Sequence, residues 1–196
     1  MKTDLLIIFY RNPELGKVKT RLAATAGEER ALAIYLKLAA HTREIAVQTT
    51  CDRVVYYSDF IDTEDSWSNN QFKKSLQTGE SLGERMKQAF ADSFNSGYKR
   101  VCIIGTDCLE LTSDILKEAF EVLRQKDSVI GPTYDGGYYL LGMSRFIPEV
   151  FYNKKWSTDT VCIDTINDLK HLQCSFEELT TLHDIDNESD LPLQLS

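Results

Sequence analysis

Proline and glycine are scarce in this chain, four and ten among 196 residues, which argues against a collagen-like repeat, a Pro-rich linker or a disordered tract. No apolar run approaches the roughly 20 residues that span a bilayer. The opening MKTDLLIIFYRNPELG holds a short apolar stretch and no small-residue cleavage site. It is expected to be a buried strand, neither signal peptide nor anchor. The five cysteines, at 51, 102, 108, 162 and 174, are odd in number and lack CxxC spacing, so reduced thiols without structural zinc are expected. The histidines at 41, 171 and 183 show no metal-ligand spacing.

Positive charge is in deficit, 22 Lys and Arg against 30 Asp and Glu, for a net charge of −8. The phosphates of long DNA or RNA repel such a chain, so nucleic acid is not an expected partner. A small phosphorylated ligand held by a local group of cations is not excluded. The expectation is a soluble, cytoplasmic, single-domain protein over residues 1–196, with no membrane span and no signal for any oligomeric state. At 42% apolar it has enough for one core, burying about 70% of the unfolded surface without disulfides.

Four segments read as buried strands: LLIIF at 5–9, RVVYYS at 53–58, VCIIG at 101–105 and SVIGP at 128–132. Apolar residues at three- and four-residue spacing predict helices over 27–48, over SLGERMKQAFADSF and over 113–124, with Ser113 as the cap of the third. Strands alternating with helices imply an α/β fold, a mostly parallel central sheet with helices on both faces. YDGGYYLLGM predicts a small antiparallel element, 158–170 a last helix capped by Ser157 or Thr158, and LTTLHDID a closing strand. DTEDSWSNNQ at 62–71 reads as an exposed loop.

Open parallel sheets bind ligands at the carboxyl ends of their strands. After the first strand, YRNPELGKVKTRL carries Arg11, Lys17, Lys19 and Arg21, four cations within eleven residues against Glu14 alone. Converging cations suit a di- or triphosphate, Arg through forked contacts and Lys as a point charge. The plainer reading is a solvated basic loop. Val18 after Gly16-Lys17 rules out a Walker A sequence, and no GxGxxG supports a dinucleotide site. At the end of the third buried strand, GTDCLELT places Asp107 as a helix cap or as a ligand for a divalent cation. In LHDIDNESDL, Asp184 and Asp186 are two apart, so an extended backbone puts their carboxylates on one side, roughly 7 Å apart. Magnesium or manganese would turn their repulsion into coordination.

QTGESLGERM offers Gly79 and Gly83 for close backbone approach and Arg85 as a further phosphate contact or a surface ion pair. In PTYDGGYYLLG, Asp135, Gly136 and Gly137 are candidates to border an acceptor pocket, with Tyr138 or Tyr139 stacking on a ring; the alternative is a hairpin turn with core tyrosines. His183, beside the acidic pair, is expected to pack or hydrogen-bond there.

The ordered set FYRNPELGKVKTRL, QTGESLGERM, IGTDCLEL, GPTYDGGYYLLGM, WSTDTV and LHDIDNESDL resembles the bacterial glycosyltransferases associated with radical-SAM/selenodomain genes. These belong to the nucleotide-diphospho-sugar transferase superfamily, of GT-A fold. The resemblance runs from about residue 5 to 191; a more distant one is to phospholactate guanylyltransferase, with its basic loop ending Lys-x-Arg-Leu and its terminal Asp-x-Asp. It implies a metal-dependent transferase using a nucleotide sugar or a nucleoside triphosphate and a small-molecule acceptor. Arg11, Lys19 and Arg21 would contact phosphates, and Asp107, Asp184 and Asp186 would hold Mg2+ or Mn2+. Asp107 and Lys19 are thus the candidate catalytic residues, and Asp135, Gly136, Gly137 and Tyr138 the acceptor border. Where glycosyltransferases of this fold usually carry a central Asp-x-Asp, this chain has Thr106-Asp107-Cys108. Nucleotidyl transfer, joining a nucleoside triphosphate to a phosphorylated acceptor with release of pyrophosphate, therefore stays open beside glycosyl transfer, as does nucleotide binding without turnover.

Overall fold

A computed structural model describes residues 3–192. The strands are β1 (Asp4–Tyr10), β2 (Asp52–Tyr57), β3 (Lys73–Leu76), β4 (Arg100–Ile104), β5 (Ser128–Pro132), β6 (Tyr138–Met143) and β7 (Phe176–Glu178). They form one sheet in the order β3-β2-β1-β4-β6-β5-β7. β6 runs antiparallel to both β4 and β5, and every other pairing is parallel. This is the mostly parallel α/β sheet with a small antiparallel element that the sequence predicts.

Helices α1 (Thr20–Ala26), α2 (Glu28–Val47), α3 (Leu82–Asn95), α4 (Ser113–Val122) and α5 (Val161–His171) cover the sheet. Side chains alternate across a strand, and β1 sorts them accordingly. Leu6, Ile8 and Tyr10 join a core with Tyr35 and Ala39 of α2 and Leu116 and Phe120 of α4. Leu5 and Ile7 join Met86 and Phe90 of α3 and Ile166 and Leu169 of α5. Burial on both faces explains why β1 and β4 read as unbroken apolar runs. A third cluster docks the C-terminal stretch: Ile185, 2% exposed, packs with Leu22 of α1 and Ile34 and Leu38 of α2. Burying such a side chain contributes about 1.5–3 kcal/mol, enough to fix the segment that carries the terminal aspartates. No helix among the described residues is long and apolar enough to cross a membrane.

Several local expectations need correction. The cap of α4 is Thr112, whose hydroxyl accepts from the Ile115 N–H at 3.3 Å, and Ser113 is the first helical residue. α5 starts at Val161 without a side-chain cap, because the Gly136 carbonyl accepts from the Cys162 N–H at 3.0 Å. The LTTLHDID stretch is not a strand beyond an isolated bridge of Leu182 to Thr133. It leaves the sheet edge so that the Ile185 N–H can reach the Asp107 carbonyl at 3.0 Å. The 62–71 loop is not wholly exposed: Trp67, 1% exposed, plugs it against Tyr10 and Phe72. The end of the basic loop, which reads as irregular, is α1.

Candidate active site

Everything of chemical interest gathers at the carboxyl edge of β1 and β4. The basic loop leaves β1 under control of α2, where the buried Tyr35 hydroxyl bonds the Arg11 backbone. The Arg11 guanidinium donates to the Lys17 carbonyl at 3.1 Å. Lys17 itself turns outward, 67% exposed, and pairs with Glu14 at 2.8 Å. Of the four cations, Arg11, Lys19 and Arg21 line a hollow of about 250 Å³ next to Tyr35 and Thr106.

Lys19 is the hinge of this arrangement. Its backbone is left-handed, φ 46° and ψ 48°, immediately before α1, a conformation that costs a non-glycine residue on the order of 1 kcal/mol. The turn drives its side chain inward until it is only 5% exposed, with Nζ 2.6 Å from Asp107 Oδ1 and 3.1 Å from Asp186 Oδ1. Burial works against the charge, but the two carboxylates outweigh it and hold the ammonium pKa above that of ordinary lysine. Arg21 approaches the second oxygen of Asp186 at 3.2 Å. The β4 aspartate and the terminal stretch, 79 residues apart in sequence, are thus joined through one lysine.

Asp184 has a different environment. Its Oδ1 is buried and has no hydrogen-bond partner. Burial first, then the neighbouring charges of Asp107 and Asp135, push its pKa up to about 7, with Lys19 opposing them. An orphaned buried carboxylate oxygen beside other carboxylates is a place where a hard cation is favoured. Among the described residues, no three His, Cys, Asp or Glu side chains are gathered into a complete metal cage. Mg2+ and Mn2+ are usually held by one or two carboxylates plus substrate phosphates. Asp107 gives only Oδ1 to Lys19 and Asp184 Oδ1 has no partner, whereas both oxygens of Asp186 face Lys19 and Arg21.

A larger cleft of about 550 Å³ adjoins the hollow and shares Phe9, Arg21, Asp107 and Asp186 with it. Leu82, Met86, Tyr138 and Trp156 line it, as do Asp135 and Gly137. Asp135 is a turn former: its Oδ1 accepts from the Thr133 hydroxyl and, at 3.0 Å, from the Gly137 N–H. Gly136 does not line the cleft but takes φ 89°, where a Cβ would lie 1.8 Å from the Asp159 carbonyl oxygen. It locks the turn onto the start of α5. The Tyr138 hydroxyl reaches toward Met86 and burial keeps it protonated. Arg85 lines neither space; its guanidinium donates to the Gly79 carbonyl at 3.0 Å. His183 pairs with Glu110 at 3.3 Å and stacks on Tyr134. All five cysteines are free and buried, and burial pushes Cys108 up to about 12 and Cys162 up to about 11, which leaves no ready thiolate there.

Two contributors are not legible as site residues in the sequence. Tyr35 sits on the apolar face of its helix and reads as core. Trp156 reads as the start of a helix, yet its indole lies on Gly83, where a Cβ would meet it at 2.3 Å. The glycine marks close approach, by an indole of the same chain.

Comparison with solved structures agrees with the architecture. A Desulfovibrio desulfuricans G20 protein, provisionally named a nucleotide-diphospho-sugar transferase, is 29% identical, with 94% of this chain and 82% of that one covered and a TM-score of 0.88. A Leptospira borgpetersenii cytidylyltransferase shares the fold at 16% identity and TM-score 0.60, covering 94% of this chain and 78% of its own. The manganese complex of Mycobacterium tuberculosis Rv0371c shares it at 11% identity and TM-score 0.57, covering 97% and 96%. Comparison with curated proteins gives no match. The profile of one bacterial family, described as uncharacterized proteins conserved in bacteria, matches residues 40–158. That span runs from within α2 through β4 with Asp107 and the Asp135 turn to Trp156, more than half of the sequence, and by it the chain belongs to the DUF2064 family.

Proposed function

We propose that this protein is a divalent-metal-dependent transferase whose donor is a nucleotide-diphospho-sugar. The observation that carries the reading is the position of Lys19, with Nζ between Asp107 and Asp186 at the carboxyl edge of the sheet and Arg11 and Arg21 in the same hollow. The diphosphate of the donor is assigned to that hollow, where forked Arg contacts and a buried ammonium neutralise it. Arg21 borders both spaces, so it follows the phosphate oxygens as the bond to the sugar carbon breaks. The acceptor enters from the larger cleft, and its apolar wall excludes water from the reacting carbon. Asp107 and Asp184 would hold Mg2+ or Mn2+, which when bound supplies further positive charge against the departing diphosphate. Charge neutralisation and positioning are the main catalytic means.

A second reading, nucleotidyl transfer, is favoured by the lone Asp107 where an Asp-x-Asp is usual in glycosyltransferases of this fold. There a phosphorylated acceptor attacks the α-phosphate of a nucleoside triphosphate and pyrophosphate leaves. Thermal shifts with nucleotide sugars and nucleoside triphosphates, with and without Mn2+, followed by product analysis, separate the two. A metal-dependent rise in Tm with a nucleotide sugar, then acceptor-dependent release of nucleoside diphosphate, is the expected result. Pyrophosphate release identifies the second reading, and a shift without product identifies a binding protein. No shift with any nucleotide overturns both transferase readings.

A further inference from the structure

We infer that the acceptor is an unphosphorylated alcohol or amine with an apolar, ring-like face that seats against Trp156. The inference rests on the glycosyl-transfer reading and concerns the part of the cleft that the donor phosphates do not occupy.

Charge is divided unevenly between the two spaces. Arg11, Lys19 and Arg21 all line the smaller hollow, and among the described residues Arg21 is the one Lys or Arg lining the larger cleft. The other charged groups on the cleft are Asp107, Asp135, Asp159, Asp184 and Asp186. Lys19 and Arg21 already face Asp107 and Asp186, and a donor diphosphate would claim what positive charge remains, that of an ion on Asp107 and Asp184 included. Asp135 and Asp159 also line the cleft, and among the described residues neither has an ion-pair partner there. A phosphate on the acceptor would carry roughly −1.5 to −2 charges. Per unit charge, at about 10 Å and an effective dielectric near 20, each like-charge pair weakens binding at least about tenfold.

The remaining wall is built for an apolar surface. Leu82, the first residue of α3, stays 43% exposed beside Met86 and Tyr138. The indole of Trp156 is held between the Gly83 backbone and the Phe151 ring, with the ring centroids 6.3 Å apart and an interplanar angle of 19°. A fixed, partly exposed indole next to an exposed leucine favours a planar or ring-shaped apolar face, and hydrated polar chains gain little there. The carboxylates opposite accept hydrogen bonds from hydroxyl or ammonium groups.

The test uses the full chain with phenyl β-glucoside and phenyl β-glucoside 6-phosphate as matched probes. The protein has two tryptophans, and Trp67 is 1% exposed, so a change in indole emission reports Trp156. Phenyl glucoside should change the emission, and calorimetry should find the 6-phosphate bound at least about tenfold more weakly. Trp156→Phe should abolish the emission response. Leu82→Lys adds a cation to the wall and should narrow the preference about tenfold. Equal or tighter binding of the phosphate overturns the proposal, as does failure of both probes at roughly ten times the usual millimolar ceiling for KM. Displacement of the glucoside by the nucleotide donor overturns it too, because the indole would then stack on the base. If no nucleotide binds while the probe preference holds, the transferase reading fails and the cleft preference stands.

Discussion

The hydroxyl of Tyr35 makes two hydrogen bonds to one residue, donating to the Arg11 carbonyl at 2.7 Å and accepting from the Arg11 N–H at 3.0 Å. Burial raises its pKa, so it remains a donor at any working pH. Helix α2 thereby sets the path of the loop that leaves β1. Tyr35→Phe leaves both backbone groups without that partner, at a cost of about 1–3 kcal/mol. In the transferase reading it should also raise the Kd for the nucleotide donor about tenfold, since Arg11 loses its anchor. Urea denaturation and calorimetry measure the two effects. A destabilised variant with unaltered donor affinity would remove Arg11 from the donor site.

Gly83 supports Trp156 by lacking a side chain. A Cβ there would stand 2.3 Å from Cε2 and Nε1 of the indole, so Gly83→Ala must move the ring. Overpacking of this kind costs about 1–3 kcal/mol. The expected kinetic result is a split: acceptor KM rises about tenfold while donor Kd changes less than about twofold. Indole emission should shift in the same variant. A uniform loss in both parameters would indicate general disorder of the edge instead.

How far the sequence leads can be judged from these residues. The unbroken runs in β1 and β4 are legible because burial on both faces leaves no polar alternation to obscure them. Lys19 is legible as a candidate because a cluster of cations is unusual in an acidic chain, Asp107 because it follows a buried strand, and Asp184 and Asp186 because they lie two apart. Their division of labour is not legible. That Lys19 stands between two carboxylates follows from a left-handed backbone at one residue and from the packing of Ile185 on α1 and α2, and both are tertiary facts. Tyr35 and Trp156 were hidden for the same reason: an aromatic on a helix face or beside a turn has the same spacing whether it packs or positions. Lys17 and Arg85 share the composition signal, yet the structure directs them to Glu14 and to the Gly79 carbonyl.

The buried ammonium of Lys19 makes a distinct prediction. Lys19→Met removes the cation and leaves Asp107 and Asp186 facing each other; these carboxylates are 44% and 37% exposed, so water screens them and the cost is about 1 kcal/mol. Turnover should fall about a hundredfold or more, as when a charged group acting on the transition state is lost. Mn2+ should then raise the Tm of the variant more than that of the wild type, because an ion can take over the neutralisation that the lysine provided. Thermal shift at graded Mn2+ concentrations reads this directly. Equal Mn2+ responses in the two proteins would place the ion away from Asp107.

Asp184 links the candidate metal site to pH. Its folded pKa is raised to about 7 from 3.8, mainly by burial and then by Asp107 and Asp135. A carboxyl that holds its proton more tightly when folded stabilises the fold at low pH, and this contribution is lost as pH rises from about 4 through 7. In metal-free protein at pH 8, Asp184→Asn should therefore be more stable than the wild type, on the order of 1–3 kcal/mol. The difference should shrink as pH falls toward 5, where the wild-type group is protonated. Saturating Mg2+ or Mn2+ should reverse the order, since the ion favours the ionised carboxylate that the asparagine lacks. Denaturation curves at pH 5 and 8, with and without the ion, provide the four numbers required. An asparagine variant that stays more stable than the wild type in the presence of the ion would exclude Asp184 as a metal ligand.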